Sequence, residues 1–131
     1  MPRTSSIGLA ADELIAAVWM PVRAGAAQQF AKVGTRNAMV IAVCSFALSL
    51  DDGRVGTCIG SAGPTPIRAR EAEAYAAGLD SLSDDAARQF GELVAAAASP
   101  IDDVRGTAAY RRHALSVLAR RTLTWAWRER G

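Results

Sequence analysis

Apolar and polar positions fall into blocks along the chain. The longest apolar run is 38–50, rich in Val, Ile and Phe and closed by Asp51-Asp52-Gly53. A run of that length and composition predicts a strand buried on both faces. Asp51-Asp52-Gly53 predicts a hairpin loop, because Gly supplies a positive φ, and 54–59 (RVGTCI) predicts the return strand. Residues 28–33 read as a short extended piece, followed by turn chemistry at Gly34-Thr35-Arg36-Asn37. Residues 13–22 (ELIAAVWMPV) have the alanines of a short helix, but Val18, Trp19, Val22 and Pro21 favour a further strand. Residues 23–27 are a turn.

Beyond 60 the period changes to that of helices. Gly60–Pro66 (GSAGPTP) breaks the ladder: its prolines remove donors and its glycines permit unusual angles or a close backbone approach. A first helix is predicted over 67–77, with Thr65 as N-cap, Pro66 at the first position and Gly78 as its end. A second runs over 83–98, capped by Ser83, with Asp84 and Asp85 in the first turn and an apolar stripe of Phe90, Leu93, Val94 and Ala97. A third covers 107–128, with Leu115, Leu118, Thr122 and Trp125 on one face. Strands first and helices after predict an α+β fold: a small antiparallel sheet of three to four strands packed on three helices. Residues 1–11 are expected as a lead-in and 12–131 as a single domain.

Composition narrows the functional classes. The chain has 131 residues and half of them are apolar, an ordinary globular composition. The run at 39–50 is too short to cross a bilayer, and the first dozen residues lack the apolar core of a secretory signal. A cytoplasmic protein, with no membrane as partner, is the expectation. Net charge is only +2, yet seven arginines crowd the part of the chain after Asp103, where Glu129 is the only acid. No aromatic or glycine motif of a nucleic-acid reader accompanies them, so a solvated helix face is expected and no nucleic acid. Cys44 and Cys58 lie fourteen residues apart in adjacent strands and His113 is the only histidine. That set points to two buried free thiols and not to a metal site. No G-x-G-x-x-G or P-loop occurs; Gly60 and Gly63 do not make one. The acid pairs Asp12/Glu13, Asp51/Asp52, Asp84/Asp85 and Asp102/Asp103 sit at turns and helix starts, where cap chemistry explains them. Arg68 and Arg70 read as surface cations, Asp103 and Arg105 as a loop-fixing pair, and Trp125 and Trp127 as packing anchors. Tyr110, Arg111, Arg112 and His113 open the last helix, and the catalytic residues, if the chain has any, are unassigned.

Three stretches, in order, carry a resemblance: FAKVGTRNAMVIAV, IGSAGPTPIRAREAEA and DVRGTAAYRRHALSVLARRTL. Over roughly 12–126 the chain resembles the C-terminal domain of the flavoprotein (medium) subunit of molybdenum hydroxylases, the carbon monoxide dehydrogenase and xanthine dehydrogenase family. The resemblance implies a fold like the one just predicted. It also implies a context in which two further domains bind FAD, and the flavin receives electrons from iron–sulfur clusters fed by a molybdenum site on other subunits. FAD is then a cofactor met only with a partner chain. Lys32, the one lysine beside fourteen arginines, and Arg36 match family residues near the flavin. The family pattern R-x-A-x-D-I-A is met by Arg36, Ala38, Ile41 and Ala42, but Val40 stands at the acidic position and Asn37 at a position often basic. Two functions follow as expectations. One is a non-catalytic domain that completes an FAD site and supports assembly of an oxidoreductase. The other is a repurposed free-standing domain, either a small flavin-independent enzyme (an isomerase or cyclase of specialised metabolism) or a homodimeric scaffold.

Overall fold

The computed structural model describes residues 8–130. Three strands, β1 (Ala27–Gly34), β2 (Ala42–Asp51) and β3 (Arg54–Gly60), are followed by α1 (Arg70–Ala77), α2 (Asp84–Ala97) and α3 (Ala108–Glu129). The sheet is antiparallel with order β1-β2-β3, so the fold is the α+β arrangement expected, with three strands. The predicted hairpin forms: Asp51 pairs with Arg54, and Asp52 and Gly53 take φ of 38° and 77°. Two positive φ values in a two-residue loop match the right-handed twist of the strands they join.

β2 is not buried on both faces. Phe46, Leu48 and Leu50 are buried and alternate with half-buried Ser45, Ala47 and Ser49. The alanine made an amphipathic strand look continuously apolar. The opposite face of the sheet carries exposed Phe30, Lys32 and Cys58 in neighbouring strands, so only Cys44 of the two thiols is buried. Cys44 and Cys58 are both free. The register slips between Val33 and Gly34, where Gly34 pairs with Ala42 and Val33 with Cys44. The extra residue, Val43, is buried together with Cys44 and marks a bulge at this end of the sheet.

α3 lies along β1 and β2, α1 along β3, and α2 packs on both helices. Phe90 of α2 reaches between them to meet Phe46 edge-on, ring centroids 6.2 Å apart, and both rings are fully buried. Ser83 caps α2 as predicted and Thr107 caps α3, accepting from the amides of Ala86 and Tyr110 at 3.1 Å each. Thr65 and Pro66 do not start α1. Ile67 instead exchanges both backbone hydrogen bonds with Ile59, which holds the chain extended until Ala69. Gly78 ends α1 as expected. On α3 the buried stripe includes Arg111, Leu115, Thr122 and Ala126, while Trp125 is 43% exposed.

Residues 13–22, predicted as a strand, have no regular structure. Leu14, Val18, Met20 and Val22 are exposed, and Trp19 is 96% exposed. β propensity measures fit to a half-buried pleated surface, and this segment has no strand beside it. Trp19→Ser is therefore expected to change the stability of the isolated chain by less than about 0.5 kcal/mol in a urea titration, where a core tryptophan would cost several. Residues 1–7 of the lead-in and Gly131 lie outside the described residues.

Candidate functional site

Antiparallel pairing brings three stretches to one end of the sheet. β1 ends there at Gly34, β2 begins at Ala42 and β3 ends at Gly60. α3 begins at the same end: a Cβ on Gly106 would lie 3.3 Å from Val43. At the opposite end Gln29 donates to Glu129 at 2.6 Å, fixing the direction of α3. The turn 34–41, the loop 60–66 and the loop 99–106 thus share one end of the molecule.

Lys32 projects from the uncovered face of β1, opposite Ser45. Its Nζ donates to the carbonyl of Val40 at 3.0 Å, closing the 34–41 loop back on its strand. An ammonium has three donors, so two remain for another group. Val40 has no carboxylate to pair with Lys32 and serves it through the main chain alone. The Val40 side chain also occupies the space beside Gly34, its Cγ2 lying 2.5 Å from a Cβ built there. Arg36 is exposed at the tip of the loop, and its guanidinium has no partner among the described residues. Lys32 and Arg36 are at the same end of the sheet but do not bond to each other. Met39 and Ile41 beside them are 99% and 71% exposed, so the loop presents cations and apolar side chains together.

Of the remaining candidates, Arg68 bonds Glu73 through Nε at 3.0 Å and Nη2 at 2.6 Å, and Arg70 is exposed. His113 is exposed on α3. Trp127 stacks against the Arg130 guanidinium, 3.4 Å from the ring centre. Burial pushes the Cys44 thiol up, and the positive charge of Arg111 only partly opposes this, so Cys44 is a poor nucleophile. Among the described residues no three His, Cys, Asp or Glu side chains gather to hold a metal ion, and no helix is long and apolar enough to cross a membrane.

The sequence reading missed Arg111. It is 4% exposed and anchors the 99–106 loop by donating from Nη2 to Asp103 and from Nη1 to the Ser61 carbonyl at 3.3 Å. Asp103 also accepts from the Arg105 amide at 2.8 Å, and the Arg111 bond and this amide hold its carboxyl below the usual range. The loop-fixing pair predicted at Asp103 and Arg105 is real, but its strongest member lies eight residues on. The signal was present: Arg111 falls four residues before Leu115, on the predicted stripe.

Sequence comparison places this geometry. The model of the CO dehydrogenase flavoprotein C-terminal domain matches residues 26–126. The chain belongs to that family. Solved structures agree on the fold. Carbon monoxide dehydrogenase from Hydrogenophaga pseudoflava is 23% identical, with a TM-score of 0.72 over 82% of this chain and 39% of the other. Quinoline 2-oxidoreductase from Pseudomonas putida 86 is 17% identical, with a TM-score of 0.73 over 86% of this chain and 40% of the other. Reconstituted CO dehydrogenase from Oligotropha carboxidovorans is 24% identical, with a TM-score of 0.68 over 80% and 38%. Among curated proteins none matches. The chain spans about two fifths of the solved chains it resembles. The matched region begins after residues 13–22.

Proposed function

We propose that this chain completes a flavin site built by an FAD-binding chain and supports assembly of a multi-subunit oxidoreductase of the cytoplasm. The observation that carries this reading is the end of β1 and the 34–41 loop of a flavoprotein C-terminal domain, which present Lys32 and Arg36 outward at one end of the sheet. The residues fit part of an FAD site. Lys32, held by Val40 and with two donors left, and Arg36 provide a cationic edge, but no glycine-rich cradle for a pyrophosphate lies among the described residues. FAD held by the partner would supply the redox chemistry. Lys32 and Arg36 would favour its anionic reduced form by fixed positive charge in a partly desolvated interface. Molybdenum and iron–sulfur subunits belong to the same proposal as the electron source.

The test is complementation. A carbon monoxide dehydrogenase flavoprotein subunit lacking its own C-terminal domain is mixed with this chain and FAD and run by size exclusion, with flavin and protein absorbance followed together. Co-elution of all three is expected. The double variant Lys32→Ala/Arg36→Ala is expected to lose about tenfold in flavin retention, equivalent to about 1.4 kcal/mol, and to lower the flavin reduction potential. Equal retention and equal potential in wild type and variant would sink the assignment of both residues.

A second reading, self-association, is favoured by exposed Phe30 on the open face of the sheet and exposed Met39 and Ile41 in the adjoining loop. The same column reads it out without flavin: a concentration-dependent dimer supports it, and a monomer at all concentrations rejects it.

A further inference from the structure

A second site lies at the same end of the fold and is independent of the flavin reading. The loop 60–66 and the loop 99–106 enclose a cleft of about 360 Å³, lined by Ser61, Pro64, Ser99, Ile101, Asp103, Arg105 and Arg111. Its walls are built, not incidental. The Ser99 amide donates to the Ala62 carbonyl at 2.9 Å, tying one loop to the other. Asp103 and Gly106 exchange backbone hydrogen bonds at 3.1 and 3.2 Å, closing the second loop on itself. Ser61 holds a left-handed φ of 58°, a conformation that a non-glycine residue adopts only when its surroundings enforce it. That conformation accompanies a Ser61 carbonyl directed at Arg111.

Arg111 is buried against this cleft with its hydrogen-bonding capacity only partly used. A guanidinium carries five N–H donors. Asp103 and the Ser61 carbonyl take one each, and the buried Nε donates to nothing among the described residues. A buried charged donor left in this state is costly unless an acceptor completes it. Arg105 lines the cleft beside it, its side chain 42% exposed and its Nη2 only 3.5 Å from the other Asp103 oxygen. Asp103 thus neutralises one of two guanidiniums, and the three side chains together leave one positive charge.

We propose that this cleft binds a small organic carboxylate with an apolar body. One surplus positive charge suits a monoanion, whereas a phosphate dianion would meet the Asp103 carboxylate with a charge left over. Arg105 and Arg111 offer the planar donors that a carboxylate accepts, and Ser61 and Ser99 line the same space. Pro64 and Ile101, the latter 69% exposed, give an apolar wall for the rest of the molecule. The volume lies within the range of about 300–1,000 Å³ usual for small-molecule sites.

Benzoate is the probe, titrated into the full chain at constant ionic strength and followed by amide chemical shifts. Saturable shifts confined to Ser61, Gly63, Ser99 and Arg105 are expected, with sodium acetate and inorganic phosphate each at least tenfold weaker. Arg105→Ala keeps the backbone amide that Asp103 uses, so the fold is retained, and it is expected to weaken benzoate at least tenfold. Ile101→Ser is expected to weaken benzoate severalfold and leave acetate unchanged. The proposal is overturned if benzoate does not saturate in the millimolar range, if phosphate matches it, or if Arg105→Ala binds as well as the wild type.

Discussion

Glu73→Ala is expected to destabilise the domain by about 3 kcal/mol in equilibrium denaturation, while leaving the 34–41 loop and the cleft chemically untouched. The Glu73 carboxylate is the hub between β3 and α1. Its Oε1 accepts from the Thr57 amide at 2.9 Å, from the Thr57 hydroxyl at 2.8 Å and from Arg68 Nε at 3.0 Å, and its Oε2 accepts from Arg68 Nη2 at 2.6 Å. The Thr57 hydroxyl accepts in turn from the Ala69 amide at 2.9 Å, so a strand residue caps the helix that Thr65 does not. Glu73 and Thr57 are 8% and 5% exposed, and truncation leaves the Thr57 amide buried without a partner. An orphaned amide of this kind costs about 1–3 kcal/mol, and the lost charge-assisted bonds add to it. Glu73→Gln keeps the shape and part of the bonding, and a smaller loss of about 1–2 kcal/mol is expected.

The same carboxylate predicts a pH dependence. Burial pushes the Glu73 pKa up, but the bond to Arg68, the two bonds from Thr57 and the Arg68 charge together outweigh it and hold the pKa below the ordinary value. A depressed carboxylate stabilises the fold above its unfolded pKa, about 4.3 for glutamate, and that stability is lost as pH falls through the folded value. Wild type is expected to lose stability on acidification through this window, and Glu73→Gln to show a shallower loss. Parallel slopes for the two proteins would mean that Glu73 does not titrate with folding.

How far the sequence could be read follows from how local each interaction is. The hairpin at Asp52-Gly53 and the cap at Ser83 depend on residues within three positions of each other, and both are legible in the sequence. Thr65-Pro66 carried an equally good local helix signal and failed, because Ile67 finds Ile59 across the GSAGPTP loop and the ladder bonds win. Residues 13–22 failed in the opposite direction: the propensity for a strand was there, but not the neighbour. The turn 34–41 and the loops 60–66 and 99–106 are far apart in sequence, and only the antiparallel order brings them to one end of the sheet. Lys32 was singled out for a flavin, yet its bond to Val40 was not visible, since it depends on how the 34–41 loop folds back. In the sequence Arg111 is one cation among many, because its partners lie eight and fifty residues away.

Gly91→Ala is expected to destabilise the domain by about 2 kcal/mol, opposite in sign to what helix propensity predicts. In the middle of an exposed helix that change is favourable by up to about 1 kcal/mol, because alanine loses less backbone freedom than glycine. Gly91 is buried where α2 crosses α3. A Cβ there would sit 2.5 Å from the Ser116 carbonyl oxygen, 3.2 Å from its carbonyl carbon and 3.4 Å from its Cα. All three are backbone atoms inside α3, so no side chain can rotate away and one helix must move. Overpacking of this kind costs about 1–3 kcal/mol or somewhat more, which exceeds the propensity gain. The movement is also transmitted. Phe90, the neighbour of Gly91, packs edge-on against Phe46, and α3 carries Arg111 at its first turn. A shift of α3 away from α2 therefore disturbs the anchor of the 99–106 loop as well as the core. Thermal unfolding of Gly91→Ala beside Gly78→Ala, where the nearest atom to a Cβ is a carbonyl oxygen at 3.6 Å, separates the two effects. A large loss at 91 and little change at 78 is the expected pair of results. A gain at 91 would mean that α2 and α3 separate easily, and that the loop end of the molecule is held by Arg111 and the bridge between Ala62 and Ser99 without help from the helix crossing.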